Sequence, residues 1–142
     1  MKKKILIVVA NYYKDISNGL LSSSKRYIPK SSNLKIIEVP GVFEIPITIK
    51  KNIKKYDAFI ALGCVIRGQT PHFDFISQSS INAIMNLSVD NEKPIGNGII
   101  TCLNMKQAIQ RSLITKKSKK VNKGREAASA VIALLKNEPK NS

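Results

Sequence analysis

Short apolar runs alternate with stretches of helical period along this 142-residue chain. Ile5, Leu6, Ile7, Val8 and Val9 fill a run from Lys4 to Ala10; Leu34 to Val39, Asp57 to Ile66 and Lys93 to Cys102 form three more. Apolar runs without polar alternation belong to strands buried on both faces. Between them the period changes. Ser17 or Asn18 is placed to cap a helix reaching about Tyr27. Ile45, Ile49 and Ile53 recur at i, i+4 and i+8 in a helix from Glu44 to about Lys55, where Pro46 is tolerable only in the first turn. Another helix is expected from Pro71 to about Leu87. Asn104 and Gln107 have capping-box spacing and open a helix to about Leu113. Ile114 to Val121 reads as a lysine-rich loop, and Asn122 as the cap of a last helix whose apolar side carries Ala127, Ala128, Val131, Leu134 and Leu135. A polar tail, Lys136 to Ser142, ends the chain. Strands alternating with helices predict one α/β domain over residues 1–142: three layers, with a four-stranded parallel sheet and helices on both faces.

In such folds ligands sit beyond the carboxyl ends of the strands. Those ends are Asn11-Tyr12-Tyr13, Pro40 to Glu44, Ile66 to His72, and the stretch around Gly96-Asn97-Gly98 to Thr101. The third is the most informative. The apolar run breaks at Arg67-Gly68, and a helix is expected to restart at Thr70-Pro71 with the only histidine, His72, just inside it. Thr70 is expected to cap that helix and Pro71 to take its first position. Free N–H groups at a helix start, with the positive end of its dipole, hold anions. Arg67 adds charge, and an imidazole exchanges protons near neutral pH. A phosphate cradle beside an acid–base group is an enzyme-like arrangement. Read without context, several of these residues also have plain structural roles: His72 bonded to backbone, Glu44 as a helix-start acid, Arg111 near a helix C-terminus.

Composition narrows the alternatives. Twenty-four basic and nine acidic residues give a net charge of +15, which raises a nucleic-acid role. However, only Arg26, Arg67, Arg111 and Arg125 are arginine, and no aromatic residues interleave with the lysines as a base-stacking surface requires. Solvated lysine faces that favour anionic substrates are the preferred reading. A flavin or nucleotide carrier of flavodoxin-like fold is a further alternative, against which Gly63 to Gly68 lacks the glycine-rich dinucleotide fingerprint. Cys64 and Cys102 lie in apolar runs and read as buried reduced thiols. One histidine and two scattered cysteines make no metal-ligand cluster. The basic start, Met1 to Lys4, precedes an apolar run too short for a signal peptide, so a cytoplasmic protein without a membrane segment is expected.

Val39-Pro40-Gly41-Val42-Phe43-Glu44-Ile45-Pro46 and Ala61 to Asp74 (ALGCVIRGQTPHFD) resemble the 6,7-dimethyl-8-ribityllumazine synthase family. So do Pro94 to Thr101, Gln107 to Arg111 and Asn122 to Ala128, in family order and spacing from about Lys4 to Leu135. The resemblance implies a transferase of riboflavin biosynthesis that joins 5-amino-6-(D-ribitylamino)uracil to 3,4-dihydroxy-2-butanone 4-phosphate, with no metal or cofactor. It implies His72 as proton carrier and Tyr12 as the ring stacked on the pyrimidine. Val42, Phe43 and Glu44 then hold the ribityl chain, and Cys64, Val65 and Ile66 line the pyrimidine pocket. Gln69, Thr70 and Arg111 bind phosphate, with Lys123 near the site. Asn97 stands where many relatives contribute an aromatic residue from a neighbouring subunit. The region between Ile16 and Leu34 looks shorter than usual, and the lysine-rich loop after Arg111 about four residues longer than in relatives that build icosahedral shells. A site between adjacent subunits implies at least a homopentamer, with pentamers or decamers favoured over a shell, and leaves room for association with riboflavin synthase.

Overall fold

The computed structural model describes residues 2–113, 122–137 and 139; the lysine-rich loop at 114–121 and most of the tail lie outside them. Four parallel strands, β1 (Lys4–Ala10), β2 (Asn33–Val39), β3 (Ala58–Ile66) and β4 (Ile95–Cys102), form one sheet in the order β2-β1-β3-β4. The expected fold is the observed one: a three-layer, flavodoxin-like α/β/α unit. All four strands fall within two residues of the expected runs; β1 and β3, inside the sheet and buried on both faces, are apolar nearly throughout, whereas the edge strand β2 carries Lys35 and Glu38 and is largely exposed.

Alternate residues of β1 feed two cores. Ile5, Ile7 and Val9 meet α1 (Lys14–Tyr27), α4 (Met105–Ser112) and α5 (Lys123–Lys136) through Ile16, Leu20, Ala108, Ala128 and Val131. Leu6, Val8 and Ala10 meet α2 (Ile45–Lys51) and α3 (His72–Asn91) through Ile45, Ile49 and Ile84. Gly124 lets α1 and α5 close up: a Cβ there would stand 2.1 Å from the Leu20 carbonyl oxygen. Ser24 Oγ, fully buried, donates to the Gly124 carbonyl at 2.6 Å across the same contact.

Helix boundaries depart from expectation where side chains take other partners. Helix α1 begins at Lys14, not after Ser17 or Asn18, because the Ser17 hydroxyl donates to the Ala10 carbonyl instead of capping. The helix expected from Glu44 to Lys55 is split into a 3₁₀ turn at Val42–Glu44 and a short α2 ending at Lys51. Helix α3 starts at His72 with Pro71 as its N-cap, so Thr70 does not cap it and Pro71 lies one position before the first turn; it runs on to Asn91, past Leu87. Leu134 is 53% exposed rather than part of the α5 core face. The other caps are as expected. Asn104 Oδ1 accepts from Gln107 N at 2.9 Å, while Gln107 Oε1 accepts from Leu103 N, one residue earlier than in the reciprocal box. Asn122 Oδ1 accepts from Gly124 N and Arg125 N, and its Nδ2 donates to the Ser112 and Leu113 carbonyls, tying the end of α4 to the start of α5.

Candidate active site

The order in which strands are added to the parallel sheet reverses at β1, since β2 lies to one side of β1 and β3 to the other. At such a switch point the loops diverge and leave a crevice at the carboxyl rim. Tyr12, Tyr13, Gly41, Val42, Phe43, Cys64, Val65, Ile66, His72 and Ile76 line a cleft there of about 280 Å³. Four separate stretches of sequence therefore meet at one place. The Asn11 N–H donates to the Val39 carbonyl at 3.0 Å and holds the first loop against the end of β2. Gly63 allows the 3₁₀ turn to pack on β3: a Cβ there would lie 2.7 Å from Val42 Cγ2 and 3.2 Å from the Ala10 Cβ.

Within the cleft, Tyr12 is 75% exposed and offers a free ring face. Tyr13, which sequence reasoning did not single out, meets that ring edge-on at 4.9 Å and 77°. Burial, and then Cys64 and Tyr12, raise the Tyr13 phenol above its ordinary pKa. A loop tyrosine carries no periodic signal that would mark it. Gly41 and Ile76 were missed for the same reason: backbone approach and a single helix position have no motif. Cys64 forms the floor. Burial, with Cys102 beside it, pushes its thiol up to about 12, so it stays protonated and is a poor nucleophile near neutral pH. His72 opens α3 at the cleft edge. Before it, neither the Gln69 nor the Thr70 N–H has a partner among the described residues, leaving both donors at the start of a 20-residue helix.

Glu44 lies just outside the cleft. It lines an adjoining apolar groove of about 370 Å³ with Phe43, Pro46, Ile47, Ser79, Ser80 and Ala83, and Phe43 borders both spaces. Gln69, Thr70, Asn97, Arg111 and Lys123 do not line the cleft either. Asn97 lies within β4 opposite Ala61, not at the carboxyl end, and its Oδ1 accepts from the Ile99 N–H at 3.0 Å. Arg111 is half-buried in the last turn of α4, beside Cys102 at the end of β4, where its charge and hydrogen bond oppose the upward effect of burial on that thiol. Lys123 opens α5 and pairs with Glu126 at 2.7 Å. The last three share the β4–α4–α5 side of the unit, opposite the β2 edge. No group of three or more potential metal ligands occurs among the described residues, and no described helix is long and apolar enough to cross a membrane.

A flavodoxin-like unit with an aromatic cleft, a histidine and a helix start at its carboxyl rim is of the class of open α/β folds that carry their ligand crevice at a switch point. The family model for 6,7-dimethyl-8-ribityllumazine synthase matches residues 2–138. The chain is 41% identical over 140 residues to that enzyme from Methylorubrum populi, covering 93% of this chain and 80% of the relative. It is 42% identical over 136 residues to the Bartonella bacilliformis enzyme (92% and 87%) and 41% over 138 residues to the Campylobacter jejuni enzyme (93% and 87%). The chain belongs to the 6,7-dimethyl-8-ribityllumazine synthase family.

Proposed function

We propose that this chain condenses 5-amino-6-(D-ribitylamino)uracil with 3,4-dihydroxy-2-butanone 4-phosphate to 6,7-dimethyl-8-ribityllumazine in riboflavin biosynthesis. The observation that carries the reading is the meeting of Tyr12, Val42, Phe43, Cys64 to Ile66 and His72 in one cleft. The heterocycle stacks on the exposed face of Tyr12, against the strand floor, with the ribityl chain running past Val42 and Phe43 toward Glu44, whose carboxylate accepts from hydroxyls. The 5-amino group attacks the butanone ketone to give an imine and water. Phosphate is then eliminated, the ribitylamino nitrogen closes the ring, and a further water leaves. His72 moves protons in these steps. Gln69 and Thr70 N–H groups hold the phosphate, with Arg111 and Lys123 supplied by a second copy.

That last assignment is supported by Arg111, Lys123 and Asn97 not lining the cleft and lying on the β4–α4–α5 side. It is also supported by apolar exposure. Helix α3 turns Ser77, Ser80 and Ile84 inward and Phe75, Met85 and Val89 outward, the reverse of an ordinary surface helix. A different apolar set, Leu103, Met105, Ile109 and Leu113, is exposed along the end of β4 and α4. Two unlike surfaces on one unit suit a heterologous ring. We read the assembly as a cytoplasmic homopentamer or a pair of pentamers, open to association with riboflavin synthase.

The test is turnover by purified protein with both substrates, followed by the absorbance and fluorescence of the lumazine. Product above the uncatalysed background is expected. None from a folded, oligomeric sample would overturn the reading.

A further inference from the structure

Arginine is used sparingly in this chain. Twenty of its twenty-four basic residues are lysine, and the four arginines are Arg26, Arg67, Arg111 and Arg125. Arg67 and Arg111 stand at the end of β4, where the Arg67 N–H donates to the Cys102 carbonyl and Arg111 lies beside the same residue. The other two meet elsewhere. Arg26, in the last turn of α1, and Arg125, in the first turn of α5, line a cleft of about 320 Å³ with Ser23 and Tyr27. None of these residues belongs to the cleft at the carboxyl rim.

The cleft is built on a rigid base. The Gly124 approach and the Ser24 hydrogen bond lock α1 to α5, and the Arg125 guanidinium lies over the Tyr27 ring at 5.9 Å. Ser129 Oγ donates to the Tyr27 hydroxyl at 3.4 Å and steadies that ring. No carboxylate lines the cleft, and neither arginine makes an ion pair among the described residues. Two arginines lining one concavity with no carboxylate beside them give it a positive potential that favours an anion. Their planar forks suit the paired oxygens of a phosphate better than lysine would. A nucleic-acid track would instead need basic residues and stacking rings continuing along the surface, and Tyr27 already has a guanidinium over one face.

We propose that Arg26, Arg125, Tyr27 and Ser23 form a second anion site, for the dianionic phosphate of a small phosphomonoester or inorganic phosphate, separate from the catalytic rim. Its charge is held by the two guanidiniums, and the hydroxyls at its edge donate to the remaining phosphate oxygens.

The experiment is equilibrium binding of inorganic phosphate to the full chain at low ionic strength, for wild type, R26Q/R125Q, R26K/R125K, R111A and, as a control for general surface charge, K50Q/K51Q. One phosphate per chain should be lost, or bound about tenfold more weakly, in R26Q/R125Q, as expected when charge-assisted hydrogen bonds are removed. The lysine pair should restore it only in part, since charge is kept and the fork is not. The R26Q/R125Q variant should turn over like wild type. R111A should lower binding at a different site, so failure of the rim reading and failure of this one are told apart. Unchanged phosphate stoichiometry and affinity in R26Q/R125Q would overturn the proposal, as would full rescue by lysine or equal weakening by K50Q/K51Q. An R26Q/R125Q defect seen only with a long oligonucleotide, steep in salt, would overturn it in favour of nucleic acid. Repeating the titration with a sugar monophosphate separates the two sources: tighter binding than inorganic phosphate assigns the cleft to an organic ester.

Discussion

At the scale of single residues, the proposed proton carrier and the buried thiol of the cleft can be tested separately. His72 stands at its edge with the free end of α3. His72→Ala should lower kcat about 10²–10⁴-fold, the usual worth of a positioned acid–base group, while pyrimidine binding followed by fluorescence stays intact. Loss of binding in parallel with turnover would make it a scaffold residue. Cys64 is the contrary case. Its thiol is held up at about 12 against an ordinary 9.0. The folded protein therefore keeps a proton that the unfolded chain releases, so this contribution to stability is complete below pH 9.0 and is lost as pH rises toward about 12. Cys64→Ala should retain turnover within about tenfold, unlike loss of a covalent nucleophile, and should flatten the alkaline fall in denaturation midpoint relative to wild type. An unchanged slope would remove the thiol from that effect.

Among the elements, α3 and α5 differ most in how far pattern predicts them. Asn122 at the start of α5 caps two N–H groups and donates to two carbonyls of α4. Asn122→Ala should cost about 2–3 kcal/mol, summing a lost cap with buried hydrogen bonds, read as a shift in denaturant midpoint. A cost under about 0.5 kcal/mol, the level of an ordinary surface change, would mean the cross-link is replaced by water. Helix α3 is driven by other forces. Its inward Ser77 hydroxyl is buried without a partner among the described residues, which an apolar environment penalises. Ser77→Ala should thus be neutral or stabilising by up to about 1 kcal/mol. Clear destabilisation would reveal a hydrogen bond that forms on assembly. Ser77 and Ser80 turn inward beside Ile84, while Phe75, Met85 and Val89 stay exposed, the face that the proposed ring would cover.

For the whole molecule, the division of the proposed site between two sides of one unit has a direct consequence. His72→Ala chains keep Arg111, and Arg111→Ala chains keep the cleft. Mixed and reassembled from denaturant, equal amounts of the two inactive variants should regain activity, with about a quarter of interfaces in a randomly mixed ring carrying both groups intact. Activity no higher than the sum of the separate variants would place both residues in one copy's site. On that proposal assembly and catalysis go together, because the cation for the cleft comes from a second copy.

Much of this was legible in the chain itself. The central strands β1 and β3 follow from continuous apolar runs, because burial on both faces leaves no room for polar alternation; the more exposed β2 and β4 follow from apolar residues set between polar ones. The Asn104 and Asn122 caps follow from local chemistry, where partners are only two or three residues away. Sequence signals failed where a side chain spent its hydrogen bond elsewhere, as Ser17 does on the Ala10 carbonyl, or where a turn was set by packing, as the 3₁₀ turn is by Gly63. Motifs named the rim residues, but they did not tell which lie together. Tyr13 at the cleft, Glu44 beside it, Asn97 inside a strand and the pairing of Arg26 with Arg125 are long-range facts. The sequence by itself determined the sheet and its buried faces, because those depend on the period of apolar residues. Only the tertiary structure decided which side chains share a cavity, because that depends on where distant segments are packed, and local chemistry carries no record of it.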